Sequence, residues 1–488
     1  MRIQGLMIGA AALAFTIGCD DTSSGGNSGG GGGVVLTNDG SMGAGGGAGG
    51  GNGGSGLTEE HLRLSYVKRV APRDGSTPIV DMVVYDFQDN EEFNLTSGSG
   101  VVDCGTTLCR LNADMTWIGW LEPGDGGFVL KVAPVDVTRK RVLVDQVREV
   151  RDEVFNFEFT TYRANRDDPD SDIVQVIYTR GQAAGSNDRI DVVVEPAAGF
   201  DADACGGEPG PTCRNLVGDI NSDGDFRVTN FGQLIILVET TLSTMTLNFY
   251  NLANGAQQTI YTFGEQMMTG SMFSGRHPIG LSPNAEYLAV FTRDDFIWRA
   301  NALTAAPNPP APAVHDLFEV KTSPEGDCRR MGDYYFNQVQ FNPVFSADSE
   351  WIYFLAKGDC SQRRENANPT NRDDYDVLRI QANVSGPVEN VTRNLRASHW
   401  SNHDMGDFDL SPEGEYLAFT AQRPNNARSR AIWVIDPDNE GAYNCSRGAP
   451  INSVIDGRER CEFIADDRDN ADVTYRDLNF HTVTVELE

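Results

Sequence analysis

The sequence predicts an all-β protein, a β-propeller of about seven (alternatively six) four-stranded blades that follows a signal peptide and a disordered glycine-rich tether. Three observations carry that reading. First, a turn built on Ser or Asn, with Asp, Asn or Gly close behind, recurs before short strands rich in aromatic and β-branched residues. Second, its anchors fall at Asn112, Ser222, Ser282, Ser346 and Ser411, and the last four are spaced 60, 64 and 65 residues apart. Third, helical periodicity is scarce, while each period offers three or four strand-like runs.

The N-terminus comes before any of this. After Arg2, Gly5 to Gly18 is apolar, the length of a signal h-region and short of a membrane span. Its end, Thr16-Ile17-Gly18-Cys19, resembles a bacterial lipobox, with Thr16 where Leu is usual. The resemblance implies that residues 1–18 are removed and that Cys19 carries lipid. Residues 19–56 then read as a tether, since Thr22 to Gly56 holds 18 Gly in 35 residues. Such a chain buries no apolar surface and reaches roughly 30–35 Å r.m.s.. Lipid plus tether is the layout of a bacterial envelope lipoprotein, with the outer membrane, on its periplasmic or surface face, as the favoured site. No other segment is long and apolar enough to cross a membrane.

The propeller is expected over residues 57–488. The segment Pro78 to Thr96 reads as strands without a preceding turn. Asn112 and Ser222 lie close to two periods apart, which implies a hidden unit near residue 165. "FNFEFTTY", "IVQVIYTR" and "RIDVVVEP" supply its strands between Phe155 and Pro196. One period beyond Ser411 falls in "YRDLNFHTVTVELE". This segment is expected to pair with Pro78 to Thr96, so that the two ends share one unit and an exposed sheet edge is removed.

The turn has a physical reason. Pro412 fixes φ and removes no ladder bond, and Gly414 accepts φ > 0 where the chain reverses. Beyond it, Leu417 and Phe419 are expected on one face, Tyr416 and Ala418 on the other. Apolar residues at consecutive positions suit a sheet packed on both faces. The stretches "LSPEGEYLAFTAQRPNNARSRAIWVID" (Leu410 to Asp436) and "LSPNAEYLAVFTRDDFIWRAN" (Leu281 to Asn301) resemble the WD40-like propeller repeat of the TolB family. The resemblance is clear over roughly residues 270–440 and implies the fold rather than a role.

The chain carries 39 Lys+Arg against 70 Asp+Glu, a net charge of −31. Nucleic acid is therefore a poor partner. Apart from Cys19 there are eight cysteines: Cys104, Cys109, Cys205, Cys213, Cys328, Cys360, Cys445 and Cys461. An even number in an exported protein suggests disulfides, whose connectivity the sequence leaves open. Pairing of neighbours is the simplest expectation: 104–109, 205–213, 328–360 and 445–461.

The sharpest motif is Asp219-Ile220-Asn221-Ser222-Asp223-Gly224-Asp225. Oxygen ligands from Asp219, Asn221, Asp223 and Asp225 fit the start of a calcium loop, with Gly224 at the bend. Asn230 stands where such loops carry a bidentate Glu, and the same residues also serve the repeat's turn. His277, His399 and His403 precede first strands, but their scattered offsets do not make one constellation. No Gly-x-Ser-x-Gly elbow lies in the globular part, and no hydrolase domain is expected beside the propeller. The function expected is non-enzymatic: a lipid-anchored scaffold binding a protein, peptide or glycan in the envelope. The alternatives are a metal-dependent polysaccharide lyase-like enzyme and a calcium-stabilised adhesive module. The loops Asn301 to Val314 and Ser361 to Asp374 are candidate contact surfaces.

Overall fold

The computed structural model describes residues 58–486 apart from 98–99, 106–107, 126, 164–171, 181–189, 199–213, 221–225, 229–232, 242–243, 252–256, 264–278, 284–286, 292–296, 302–314, 317–342, 358–374, 383–388, 392–404, 424–425, 439–460 and 466–470. Among these residues the regular structure is almost wholly strand, with one 3₁₀ turn at Val144–Gln146. No helix among them is long and apolar enough to cross a membrane.

The chain opens with β1 (Thr58–Pro72), β2 (Ile79–Asp86) and β3 (Glu91–Asn94). An eight-stranded sheet follows. It comprises β4 (Cys109–Leu111), β5 (Trp117–Gly124), β6 (Gly127–Asp136) and β7 (Arg141–Val142). The same sheet continues with β8 (Arg148–Arg163), β9 (Asp172–Arg180), β10 (Ile190–Pro196) and β11 (Arg214–Ile220). Four four-stranded sheets come next. The first holds β12 (Phe226–Val228), β13 (Gln233–Thr241), β14 (Thr244–Asn251) and β15 (Gln257–Phe263). The second holds β16 (Ile279–Leu281), β17 (Tyr287–Phe291), β18 (Ile297–Asn301) and β19 (His315–Asp316). The third holds β20 (Val344–Phe345), β21 (Trp351–Lys357), β22 (Tyr375–Gln381) and β23 (Glu389–Asn390). The fourth holds β24 (Met405–Leu410), β25 (Leu417–Arg423), β26 (Asn426–Ile435) and β27 (Cys461–Ala465). Finally β28 (Ala471–Glu486) returns to β1, giving a sheet in the order β28-β1-β2-β3. All these pairings are antiparallel between neighbours, as tight connections require.

Two expectations change. The C-terminal strand does not pair directly with Pro78 to Thr96. The strand between them is β1, whose register runs from Thr58↔Glu486 to Pro72↔Ala471. The hidden unit near residue 165 is present as strands, but it is not a separate sheet. The reason lies in β8, which is 16 residues long. Its first part pairs with β6, from Val132↔Arg148 to Phe128↔Val154. Its second part pairs with β9, from Val154↔Arg180 to Arg163↔Asp172. The two-residue β7 leaves most of the β6 edge open to this pairing.

The repeated turn has one geometry at four anchors. The N–H of Ser411 donates to the Tyr416 carbonyl at 2.8 Å, and the Tyr416 N–H donates back to Ser411 Oγ at 2.9 Å. The same reciprocal pair joins Ser346 to Trp351, Ser282 to Tyr287 and Asn112 to Trp117. An anchor needs a short side-chain oxygen, which is why Ser or Asn stands there. Three residues on, the backbone turns left-handed: φ is 59° at Met115, 64° at Ser349 and 78° at Gly414. Only Gly414 takes that conformation without a Cβ penalty.

The core lies between successive sheets. Leu417 and Phe419 join a cluster with Phe354, Val377 and Ile380 of the preceding sheet. Ala418 and Tyr416 face a second cluster with Leu64, Tyr66 and Tyr85 of the terminal sheet. The other face of the terminal sheet, with Met82 and Val84, packs on Trp120 and Ile118 of β5. Strand residues of β25 and of the terminal sheet therefore alternate between two apolar interfaces, and these sheets are apolar on both sides.

Candidate functional site

Every fourth strand meets at one place. A cavity of about 370 Å³ is lined by Leu111 of β4, Glu158 of β8, Val228 of β12, Gly280 of β16, Val344 of β20, Asp407 of β24 and Leu478 of β28. The strands approach closely there. A Cβ built on Gly280 would lie 2.2 Å from the Pro343 carbonyl oxygen, so only glycine fits.

Among the described residues, the lining carries four carboxylates (Glu158, Asp407, Asp409 and Asp477) against the guanidinium of Arg110. Each has a local cause. Asp407 and Asp409 alternate on β24 and reach across to the terminal sheet. The Leu478 N–H donates to Asp407 Oδ2 at 3.1 Å, and the Phe480 N–H donates to Asp409 Oδ2 at 2.8 Å. β28 is the edge of its sheet, and these carboxylates satisfy edge donors that no strand covers. Arg110 Nη1 donates to the Phe157 carbonyl at 2.7 Å and lies 3.3 Å from Glu158 Oε1, which ties β4 to β8. Asp477 sits in left-handed backbone at φ 57°, where the β1–β28 register shifts. A bulge of this kind re-aims a side chain, here toward the cavity. Arg476 Nε stands 3.5 Å from Asp477 Oδ2.

Beside the cavity, His481 is wholly enclosed. Ser65 Oγ donates to its Nε2 at 2.8 Å, and its Nδ1 donates to the Ala113 carbonyl at 3.3 Å. Burial lowers the imidazole pKa to about 4, against the smaller upward pull of its backbone bonds near Ala113. The ring is thus neutral near pH 7 and serves as a pin between the terminal sheet and the Asn112 turn.

The sequence-predicted residues fall elsewhere. Cys104 and Cys109 are bonded, with S–S 2.11 Å. Cys19, Cys205, Cys213, Cys328, Cys360 and Cys445 lie outside the described residues, as do Asn221, Asp223, Asp225, His277, His399 and His403. Asp219 and Cys461 lie on the described backbone of β11 and β27, without described side chains. The structure brings together instead Arg110, Glu158, Asp407, Asp409 and Asp477, which sequence reasoning passed over. One signal was readable: two aspartates at alternate positions just before the Ser411 turn, in a strand otherwise able to bury both faces.

Successive antiparallel meanders, a sheet shared by both ends and the convergence of every fourth strand define a β-propeller. No family model matches the chain, and no curated protein matches it. Solved structures do. TolB from Acinetobacter baumannii is similar at 12% identity and TM-score 0.34, over 77% of each chain. A periplasmic gluconolactonase of Pseudomonas aeruginosa is similar at 11% identity and TM-score 0.43, over 86% of this chain and 99% of that one. Prolyl endopeptidases are similar at 10% identity and TM-score 0.45, over 85% of this chain and half (50%) of theirs.

Proposed function

We propose that this chain is a lipid-anchored β-propeller of the bacterial cell envelope that binds a partner without chemically transforming it. In this reading residues 1–18 are a signal peptide, Cys19 carries the lipid and residues 19–56 are the tether. The outer membrane is the favoured location. The propeller has seven four-stranded blades, counted by dividing the eight-stranded sheet between β7 and β8.

The observation that carries the reading is the acid-lined cavity where every fourth strand converges. Four carboxylates and one guanidinium favour a ligand with ammonium, guanidinium or donor hydroxyl groups, and they repel an anionic one. An extended basic segment of a protein or peptide fits this charge best, ahead of a neutral glycan. Rigid sheets hold the lining, so affinity is set by the loops and side chains at the mouth.

The test is crosslinking in intact envelopes, followed by capture of the full chain. The expected result is one specific partner, lost in Asp477→Asn, with Cys19→Ser releasing the chain from the membrane fraction. No specific partner, together with measured glycan turnover by the purified chain, would replace this reading with an enzymatic one.

A further inference from the structure

A second cavity, of about 490 Å³, opens between the start of β1 and the Ser411 turn. Its lining includes Glu59, Glu60, Glu413 and Glu415, and no Lys or Arg among the described residues. His61 also lines it, although the residue is only 6% exposed.

His61 is held in one orientation. Its Nδ1 lies 3.0 Å from Asp86 Oδ1 and 2.9 Å from Oδ2. Asp86 is fully buried, yet it is fixed as a carboxylate. Arg63 Nε donates to it at 2.7 Å, and the N–H groups of Gln88 and Asp89 donate at 3.1 and 3.2 Å. Burial works against its ionisation, but the bonds from His61, Arg63 and the Asp89 amide outweigh it and keep its pKa below the usual value. An ionised carboxylate only accepts, so Nδ1 of His61 carries the hydrogen. In the neutral ring Nε2 then presents a lone pair. Among the described residues Nε2 makes no hydrogen bond, and Glu59 Oε2 stands 3.9 Å away.

A carboxylate behind a histidine, orienting its far nitrogen, is the arrangement that supports a metal-binding imidazole. Glu59 and His61 are alternate residues of one strand and share a face. Two ligand atoms on one tetrahedral zinc stand roughly 3.4 Å apart, so a small swing of Glu59 closes the gap. Its side chain is 55% exposed and free to make that movement.

His61, Asp86 and Asp89 also cluster, with ligand atoms within 4.8 Å of one another. That side is a poor place for a cation. Arg63 already sits on Asp86 at 2.7 Å, and Lys140 Nζ sits on Asp89 at 3.0 Å. An ion there would meet two positive charges, whereas Glu59 stands 3.9 Å from Nε2 and the charged side chains described around the second cavity, His61 apart, are Glu59, Glu60, Glu413 and Glu415.

We propose that His61 Nε2 and Glu59 anchor a divalent zinc-type metal site in this cavity, with Asp86 as the orienting carboxylate and Glu413 and Glu415 adding negative charge at the rim. A nitrogen ligand among carboxylates selects zinc over calcium or magnesium, which prefer oxygen alone. The site is separate from the Asp219 loop and from the cavity of the proposed function.

The test is equilibrium dialysis of the full lipidated chain in detergent against Zn²⁺, with Co²⁺ absorption spectra as a second readout. The expected result is one zinc equivalent per chain that His61→Gln loses and that Glu59→Gln binds at least about tenfold more weakly. Millimolar Ca²⁺ leaves it in place, and Co²⁺ gives d–d bands that weaken in both variants. Glu59 is exposed, so its variant tests the site even where His61→Gln disturbs folding. Absence of a stoichiometric zinc, equal zinc binding by wild type and Glu59→Gln, or displacement by calcium would overturn the proposal.

Discussion

At the scale of single residues, the repeated turn explains its own composition. Gly414 has φ 78° and open space around its missing Cβ, so Gly414→Ala meets backbone strain and nothing else. We expect it to cost about 1–2 kcal/mol in urea unfolding. His481 makes a second prediction. Its folded pKa is lowered to about 4, while the unfolded ring titrates near 6.5. Between those values the unfolded chain binds more protons, so stability is fully present above pH 6.5 and is lost as pH falls toward 4. The groups beside it, Asp114 and Arg63, act in opposite directions on that charge. The full contribution is on the order of 3 kcal/mol. The melting temperature should fall across that window, and His481→Gln should flatten the slope.

At the scale of elements, much of the fold was legible because each strand must obey local rules. The Ser411 segment announces a turn through Pro412 and Gly414, and its faces through Leu417 and Phe419. The merger of two strand groups into one eight-stranded sheet was not legible. It depends on how far β8 overlaps the edge of β6, and one continuous strand can serve two partners without a change in its own pattern. β1 was passed over because it follows directly on the glycine-rich segment, although Leu62, Leu64 and Tyr66 alternate plainly. The cavity acids were invisible for a related reason. Asp407 and Asp409 look like solvated turn residues until β28 is placed beside them, more than 60 residues on in the chain. Their role as edge caps gives a third prediction. Asp407→Ala leaves a buried Leu478 N–H without its acceptor and should cost about 1–3 kcal/mol. Hydrogen exchange should localise the loss to the β28 edge.

At the scale of the whole molecule, the side chains that join the terminal sheet to β24 also line the cavity of the proposed function. β1 and β28 join the two ends of the folded chain in one sheet, with a register from Thr58↔Glu486 to Pro72↔Ala471. β24 clamps that sheet through Asp407 and Asp409. The same carboxylates, with Glu158 and Asp477, give the central cavity its negative lining. Under the proposed function, groups that join the terminal sheet to β24 also select the ligand, as expected where rigid strands position polar side chains. The most direct measurement is fluorescence anisotropy of labelled peptides, lysine-rich, neutral and acidic, titrated with the full chain at several salt concentrations. The account predicts saturable binding of the lysine-rich peptide alone, weakened by salt and at least about tenfold weaker for Glu158→Gln combined with Asp477→Asn. Equal binding of the three peptides, or lysine-rich binding unchanged in that variant, would contradict it.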